Sequence, residues 1–240
     1  MPMSAVRDKI CAIAKEYAGT GATHNPDKYL ELLAGDVEPE ATRKGMLYMS
    51  SCALFARGVL RKAGCQSELL SKPYRIGNAV SDLFAIAYGK NAWVKADPTL
   101  VPKPGDIFVI FNADNGSDAH VGTIVSVVGK SSVDGSVTLG TCEGGQGNRG
   151  AESGAFVRKW EVRNGLYYMG ARRVRGWLDA DRLGIELPEP PPPVVPVPVP
   201  ATEAAAELAQ SVVPKPAQAT AAVVASVGAL AYLANLLHHC

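Results

Sequence analysis

Three successive segments set the architecture: DIFVIF (Asp106–Phe111), HVGTIVSVV (His120–Val128) and SVTLGTC (Ser136–Cys142). Each is a short run rich in β-branched or aromatic residues. The first follows the turn Lys103-Pro104-Gly105 and the third follows Val133-Asp134-Gly135, the punctuation expected of strands joined antiparallel. Phe156–Val162 and Tyr167–Val174 extend the series. Toward the N-terminus the period changes. Val6, Ile10, Ile13, Ala14 and Tyr17 recur at helical spacing, and a second helix is predicted from Ser50 or Ser51 through CALFARGVLRKAGC, stopped by Gly64. Leu54, Phe55, Val59 and Leu60 line its apolar face. The reading is α+β, with N-terminal helices packed on an antiparallel β-sheet. Gly19 to Lys28 and Ser71 to Thr99 read as loops that shape a substrate groove.

Composition bounds the rest. With 47% hydrophobic and 20% charged residues, the 240-residue chain has material for a sizeable core. Its 24 Lys and Arg against 23 Asp and Glu leave a net charge of +1, so no global field favours nucleic acid as a partner. The first thirty residues carry Arg7, Asp8, Lys9, Lys15 and Glu16 where a secretory signal would be apolar. Synthesis in the cytoplasm is expected, with export by another route.

The sharpest break follows Leu187, where eight prolines fall among the thirteen positions Pro188 to Pro200. Such density extends a chain as polyproline II, a spacer. The division is therefore a folded domain at 1–186, a Pro/Ala-rich linker at 187–216 and a hydrophobic helix at 217–240. Residues 217–237 carry no charge, and as a helix would span about 30 Å, the thickness of a bilayer core. Val223, Val227, Leu230, Leu233 and Leu237 also form one stripe, so docking and membrane association are both open.

Five cysteines without a CxxC pair argue against a disulfide framework or a zinc site. Cys52 stands apart because it begins the second helix, where unpaired backbone N–H groups and the dipole favour a thiolate. Of four histidines, His238 and His239 end the tail and His24 lies in the GTGATHNPDK loop, whereas His120 opens a strand that can hold its ring. Gly145-x-Gly147-x-x-Gly150 matches a dinucleotide fingerprint, but loop and strand follow it where that motif needs a helix. Neither cofactor nor metal is implied.

In order and spacing, SSCALFARGVLRKAG, KPGDIFVIF, DAHVGTIVSV and TLGTCEGGQ resemble the NlpC/P60 and CHAP superfamily of cysteine peptidases and amidases. The resemblance covers about residues 5 to 178. It implies a papain-like fold with Cys52 as nucleophile, His120 as base and Glu143 as the residue orienting the imidazole. Gln146 is a substitute for that third role and Tyr48 a candidate oxyanion donor. Ser51 stands where the family usually has Asp or Asn, and Gly145 where CHAP members have Asn. The implied activity is hydrolysis of peptide stems in peptidoglycan, as a phage-type lysin or a secreted antibacterial effector, with an immunity or secretion partner. The expected place of action is the cell wall, the periplasm or the outside of the cell. Two alternatives stand beside it: a catalytically silent wall-binding or membrane-anchored scaffold, and a permuted thioesterase or acyltransferase using His24.

Overall fold

The computed structural model describes residues 3–49, 51–74, 79–112, 118–147 and 150–187. The Pro-rich linker and the hydrophobic tail expected after residue 187 lie outside them.

Helix α1 (Ala5–Tyr17) starts at Ser4, whose hydroxyl accepts from the Arg7 N–H. Helices α2 (Pro26–Ala34) and α3 (Glu40–Arg43) and a 3₁₀ turn (Lys44–Tyr48) lead to α4 (Cys52–Ala63), which ends at Gly64 with φ +88°. Helix α5 (Ala79–Gly89) and strand β1 (Trp93–Lys95) follow. Thus α2 and α5 occupy parts of the two predicted loops. Their apolar positions, Tyr29, Leu32 and Leu33 in α2 and Leu83 and Ile86 in α5, bury against α4 and its surroundings.

The remaining strands are β2 (Ile107–Asn112), β3 (Asp118–Lys130), β4 (Val137–Gln146), β5 (Glu152–Arg163), β6 (Leu166–Met169) and β7 (Arg172–Leu178). The single strand predicted over Tyr167–Val174 is a hairpin, broken at Gly170 with φ +62°. That break changes the architecture. The antiparallel order runs β1-β7-β2-β3-β4-β5-β6, and β6 also pairs with β7 through Tyr168↔Arg173 and Met169↔Arg172. Six strands close into a barrel, with β1 outside it on β7.

The expected papain-like arrangement of helices on an open sheet is therefore incorrect. The physical reason lies in β2, where Ile107, Phe108, Val109 and Ile110 are all fully buried, so both faces of the strand need cover. Helices cover one face and closure of the sheet covers the other. Ile107, Val109, Val121 and Cys142 join the helix-side core, whereas Phe108, Ile110, Ile124, Val137, Leu139 and Trp160 fill the lumen. The Phe108 and Trp160 rings meet edge-on with centroids 5.8 Å apart. Burying side chains of this size contributes roughly 1.5–3 kcal/mol each.

Candidate active site

The site forms where the N-terminus of α4 meets one end of the barrel. Alternation along β3 and β4 decides which side chains reach it. His120 shares a strand face with Gly122 and Ile124, and Glu143 shares one with Leu139 and Thr141, so both point to the lumen side above its apolar filling. Gly122 makes room, since a Cβ there would sit 2.5 Å from the Phe108 ring and 2.7 Å from the Glu143 Cγ.

Cys52 approaches from the helix. Gly144 and Gly145 allow the contact: a Cβ on Gly144 would meet Phe55 at 2.6 Å, and one on Gly145, at φ +74°, would meet the Cys52 Cβ and backbone N at 2.9 Å. Strand β4 thus runs as far as Gln146, pressed on the helix start.

The His120 Nε2 lies 2.7 Å from the Glu143 Oε2, and the imidazole is also hydrogen-bonded to the Cys52 thiol. With Nε2 engaged by the carboxylate, Nδ1 is the nitrogen left for the sulfur. Backbone N–H groups of Ala53 and Val121 donate to the same sulfur. Cys52 is partly exposed, His120 is 8% exposed and Glu143 is fully buried. Of the three residues Cys52 is thus the most exposed, while the base and its carboxylate stay shielded.

Electrostatics follow from this chain of contacts. Burial pushes the Cys52 thiol up, but the hydrogen bond and positive charge of His120 outweigh it and the net direction is down. Burial pulls His120 down, yet its bonds to Cys52 and Glu143 raise it to about 9. For Glu143, burial is outweighed by His120 and Arg158, which lower it to about 2. All three shifts favour a thiolate–imidazolium pair beside an ionised carboxylate. By contrast, burial raises Cys11 and Cys142 to about 11 and raises Cys65 as well. Those thiols are inert fillers of the core.

Gln146 sits at the edge of the triad. Its Nε2 donates to the Gly144 carbonyl at 3.2 Å and lies 3.4 Å from both His120 Nε2 and Glu143 Oε2. Tyr48 is 68% exposed at the end of the 3₁₀ turn, and no hydrogen bond joins it to Cys52 among the described residues. His24 is 76% exposed and contacts Thr23 and Glu152 instead of Cys52. Three of the sequence-predicted residues meet directly, a fourth flanks them, and Tyr48 and His24 stand apart.

Sequence reasoning missed the supports. The Ser51 hydroxyl makes no helix cap; it accepts from Gly145 N–H at 3.1 Å, donates to the Gly150 carbonyl at 3.0 Å and bonds the buried Tyr29 hydroxyl. Ser51 therefore fastens the β4–β5 connection over Cys52. Arg158 was also missed. Its Nε and Nη2 donate to the two Glu143 oxygens at 2.8 and 2.7 Å, and Thr141 donates to Oε1. The Pro104-Gly105-Asp106 turn has a different job: its carboxylate binds Arg7 in α1 and tethers that helix to the barrel.

No known family model matches the chain, and no curated protein matches it. Among the described residues no group of His, Cys, Asp or Glu is arranged to hold a metal ion, and no helix is long and apolar enough to cross a membrane.

Proposed function

We propose that the chain is a cysteine hydrolase of the amidase or endopeptidase type, cutting amide bonds in the peptide stems of peptidoglycan. The observation that carries the chemistry is the continuous chain from the partly exposed residue Cys52 through His120 to the buried Glu143 carboxylate. The assignment of substrate rests on the resemblance of the Cys, His and Glu motifs to NlpC/P60 and CHAP enzymes. Release as a phage-type lysin, or delivery as an antibacterial effector, fits that substrate.

In this reading the Cys52 thiolate adds to an amide carbonyl carbon. The C–N bond then breaks, and the departing amine takes its proton from the His120 imidazolium. Water attacks the thioester next, giving its proton back to the imidazole and releasing the acid and the free thiolate. Glu143 keeps the ring in one tautomer and orientation throughout. The oxyanion of each tetrahedral intermediate would lie against the start of α4, where backbone N–H groups are unpaired.

The test is incubation of the full chain with isolated sacculi, following new free amines and released stem fragments. Cys52→Ala is expected to abolish release, and His120→Ala to lower it by about 10²–10⁴. Undiminished cleavage by Cys52→Ala removes the reading.

A further inference from the structure

We propose that Arg158 is a positioning residue for the Cys52–His120 pair, orienting Glu143 through a two-point fork and setting with its charge the pH range in which the sulfur is a thiolate. The inference rests on the reading of Cys52 as a nucleophile and adds a fourth member to its machinery.

The geometry begins with strand register. Leu139 on β4 pairs with Arg158 on β5, and Glu143 lies two pleat repeats beyond Leu139, on the same lumen-side face. The guanidinium reaches along that face and stacks on the Phe156 ring, 4.3 Å from its centroid. From there Nε meets Oε1 at 2.8 Å and Nη2 meets Oε2 at 2.7 Å, the side-on geometry that only a planar guanidinium provides. Glu143 is fully buried, and its oxygens are accounted for: Oε1 by Arg158 and Thr141, Oε2 by Arg158 and His120. A carboxylate held at both oxygens cannot rotate, so Oε2 stays on the ring nitrogen.

Arg158 also completes the charge balance. The thiolate and the carboxylate carry two negative charges, and the imidazolium alone would leave the buried group with a net charge of −1. The guanidinium brings it to zero. The ionisable groups facing this assembly are Cys52 from α4, His120 from β3, Glu143 from β4 and the Tyr29 hydroxyl from α2. Burial pushes that hydroxyl up to about 12, so it stays neutral across the working range. Arg158 is thus the permanent cation of the site, since His120 can lose its proton and Arg158 cannot.

Removing this charge destabilises the thiolate and favours the imidazolium, so both ends of the active pH range move upward. A merely structural role predicts lower activity or stability with no such movement. The experiment measures the pH dependence of iodoacetamide alkylation at Cys52, mapped by mass spectrometry, together with release from sacculi. In the wild-type protein the alkylation midpoint is expected below 9, the ordinary thiol value, because the His120 charge and hydrogen bond pull the Cys52 thiol down. Arg158→Met is expected to raise it by about 1 unit, slowing alkylation about 10-fold at pH values below both midpoints. Arg158→Lys keeps the charge and loses the fork, so its midpoint stays near that of wild type while release falls, by up to about 100-fold for a misplaced base.

An unmoved midpoint in Arg158→Met overturns the electrostatic role, and wild-type release by Arg158→Lys overturns the orienting role. If Arg158→Met fails to fold, Arg158→Lys alone decides the orienting role, and Arg158→Gln, which retains hydrogen-bonding capacity without charge, decides the electrostatic one. Failure of the underlying reading looks different: the wild-type Cys52 itself then alkylates as an ordinary thiol.

Discussion

Asp106 and Glu143 are buried carboxylates that each face an arginine, and they are driven in opposite directions. At one end of α1 a single guanidinium, Arg7, serves Asp106, Asp179 and Asp181. At the candidate active site a single carboxylate, Glu143, serves two cations, Arg158 and protonated His120. Burial dominates at Asp106 and pushes it up to about 6, outweighing the Arg7 charge and the backbone N–H groups of Lys103 and Ala180 that pull it down. At Glu143 the same penalty is overcome and the group falls to about 2. An arginine beside a buried acid therefore does not fix the direction of its shift; Glu143 differs by having a second cationic partner, protonated His120. The Arg7 cluster is also closed by backbone groups, with Lys103 and Ala180 N–H donating to Asp106 and the Pro104 carbonyl accepting from Arg7. The Glu143 cluster ends on an imidazole and a partly exposed sulfur. One is a clamp and the other can pass a proton.

The largest expected effect falls on the clamp. Arg7→Met leaves Asp106 buried without its cation, and breaking a buried pair of this kind costs about 3–5 kcal/mol. Urea unfolding should show that loss as a lower midpoint at unchanged slope, while the surviving folded protein keeps the wild-type alkylation midpoint at Cys52. A shift in that midpoint would show that the two clusters are coupled and end the comparison.

Glu143→Gln probes the other side. The amide preserves shape and removes the charge that holds His120 up, so the ring should titrate about 1 to 2 units below its present value of about 9. Nuclear magnetic resonance of the His120 ring protons reads this without a substrate. Stability changes in parallel. His120 has a folded pKa raised above 6.5, so its contribution is complete below that value and is lost as pH rises through about 9. Glu143 has a folded pKa depressed below 4.5, so its contribution is present above that value and is lost as pH falls through about 2. Asp106 runs the other way from Glu143: protonation favours its folded form, and its burial penalty grows as pH climbs from about 4 to about 6. In Glu143→Gln the alkaline loss should begin at lower pH while the Asp106 contribution between about 4 and 6 persists. An unchanged His120 titration would mean that Glu143 does not set the charge of the ring.

Much of the site was legible because its chemistry is local. Cys52 announces itself at a helix start and His120 near a strand start, whereas Glu143 is singled out only by the resemblance of its TLGTCEGGQ segment. Their supports were not legible, because they depend on register. Arg158 is an ordinary basic residue in the sequence until pairing places it over Leu139 and beside Glu143. Ser51 reads as a helix cap until Gly145 and Gly150 fold back onto it. Barrel closure was missed for a related reason. Asn164-Gly165, both at positive φ, reverses the chain after β5, and Gly170 reverses it again four residues into β6. Such a short strand between two turns reads as the continuation of one longer strand. The continuous apolar run Ile107–Phe111 was the signal that both faces of the sheet required cover.

The smallest expected effect tests how Arg158 is held. Its guanidinium has two attachments, the Glu143 carboxylate and the Phe156 ring beneath it. The clamp arginine, in contrast, is 3% exposed and enclosed by polar partners. A partly exposed cation on an aromatic face gains about 0.5–1 kcal/mol from it, equivalent to a factor of about 2 to 5. Phe156→Leu keeps much of the apolar area and removes the π face. Release from sacculi should fall by about that factor, with the Cys52 alkylation midpoint unmoved because both charges remain. A fall as deep as that of Arg158→Lys would mean that the ring, more than the carboxylate, orients the fork. No fall at all would mean that Glu143 holds the arginine unaided, and the active-site cluster would then resemble the Arg7 clamp, held by its ion pairs alone.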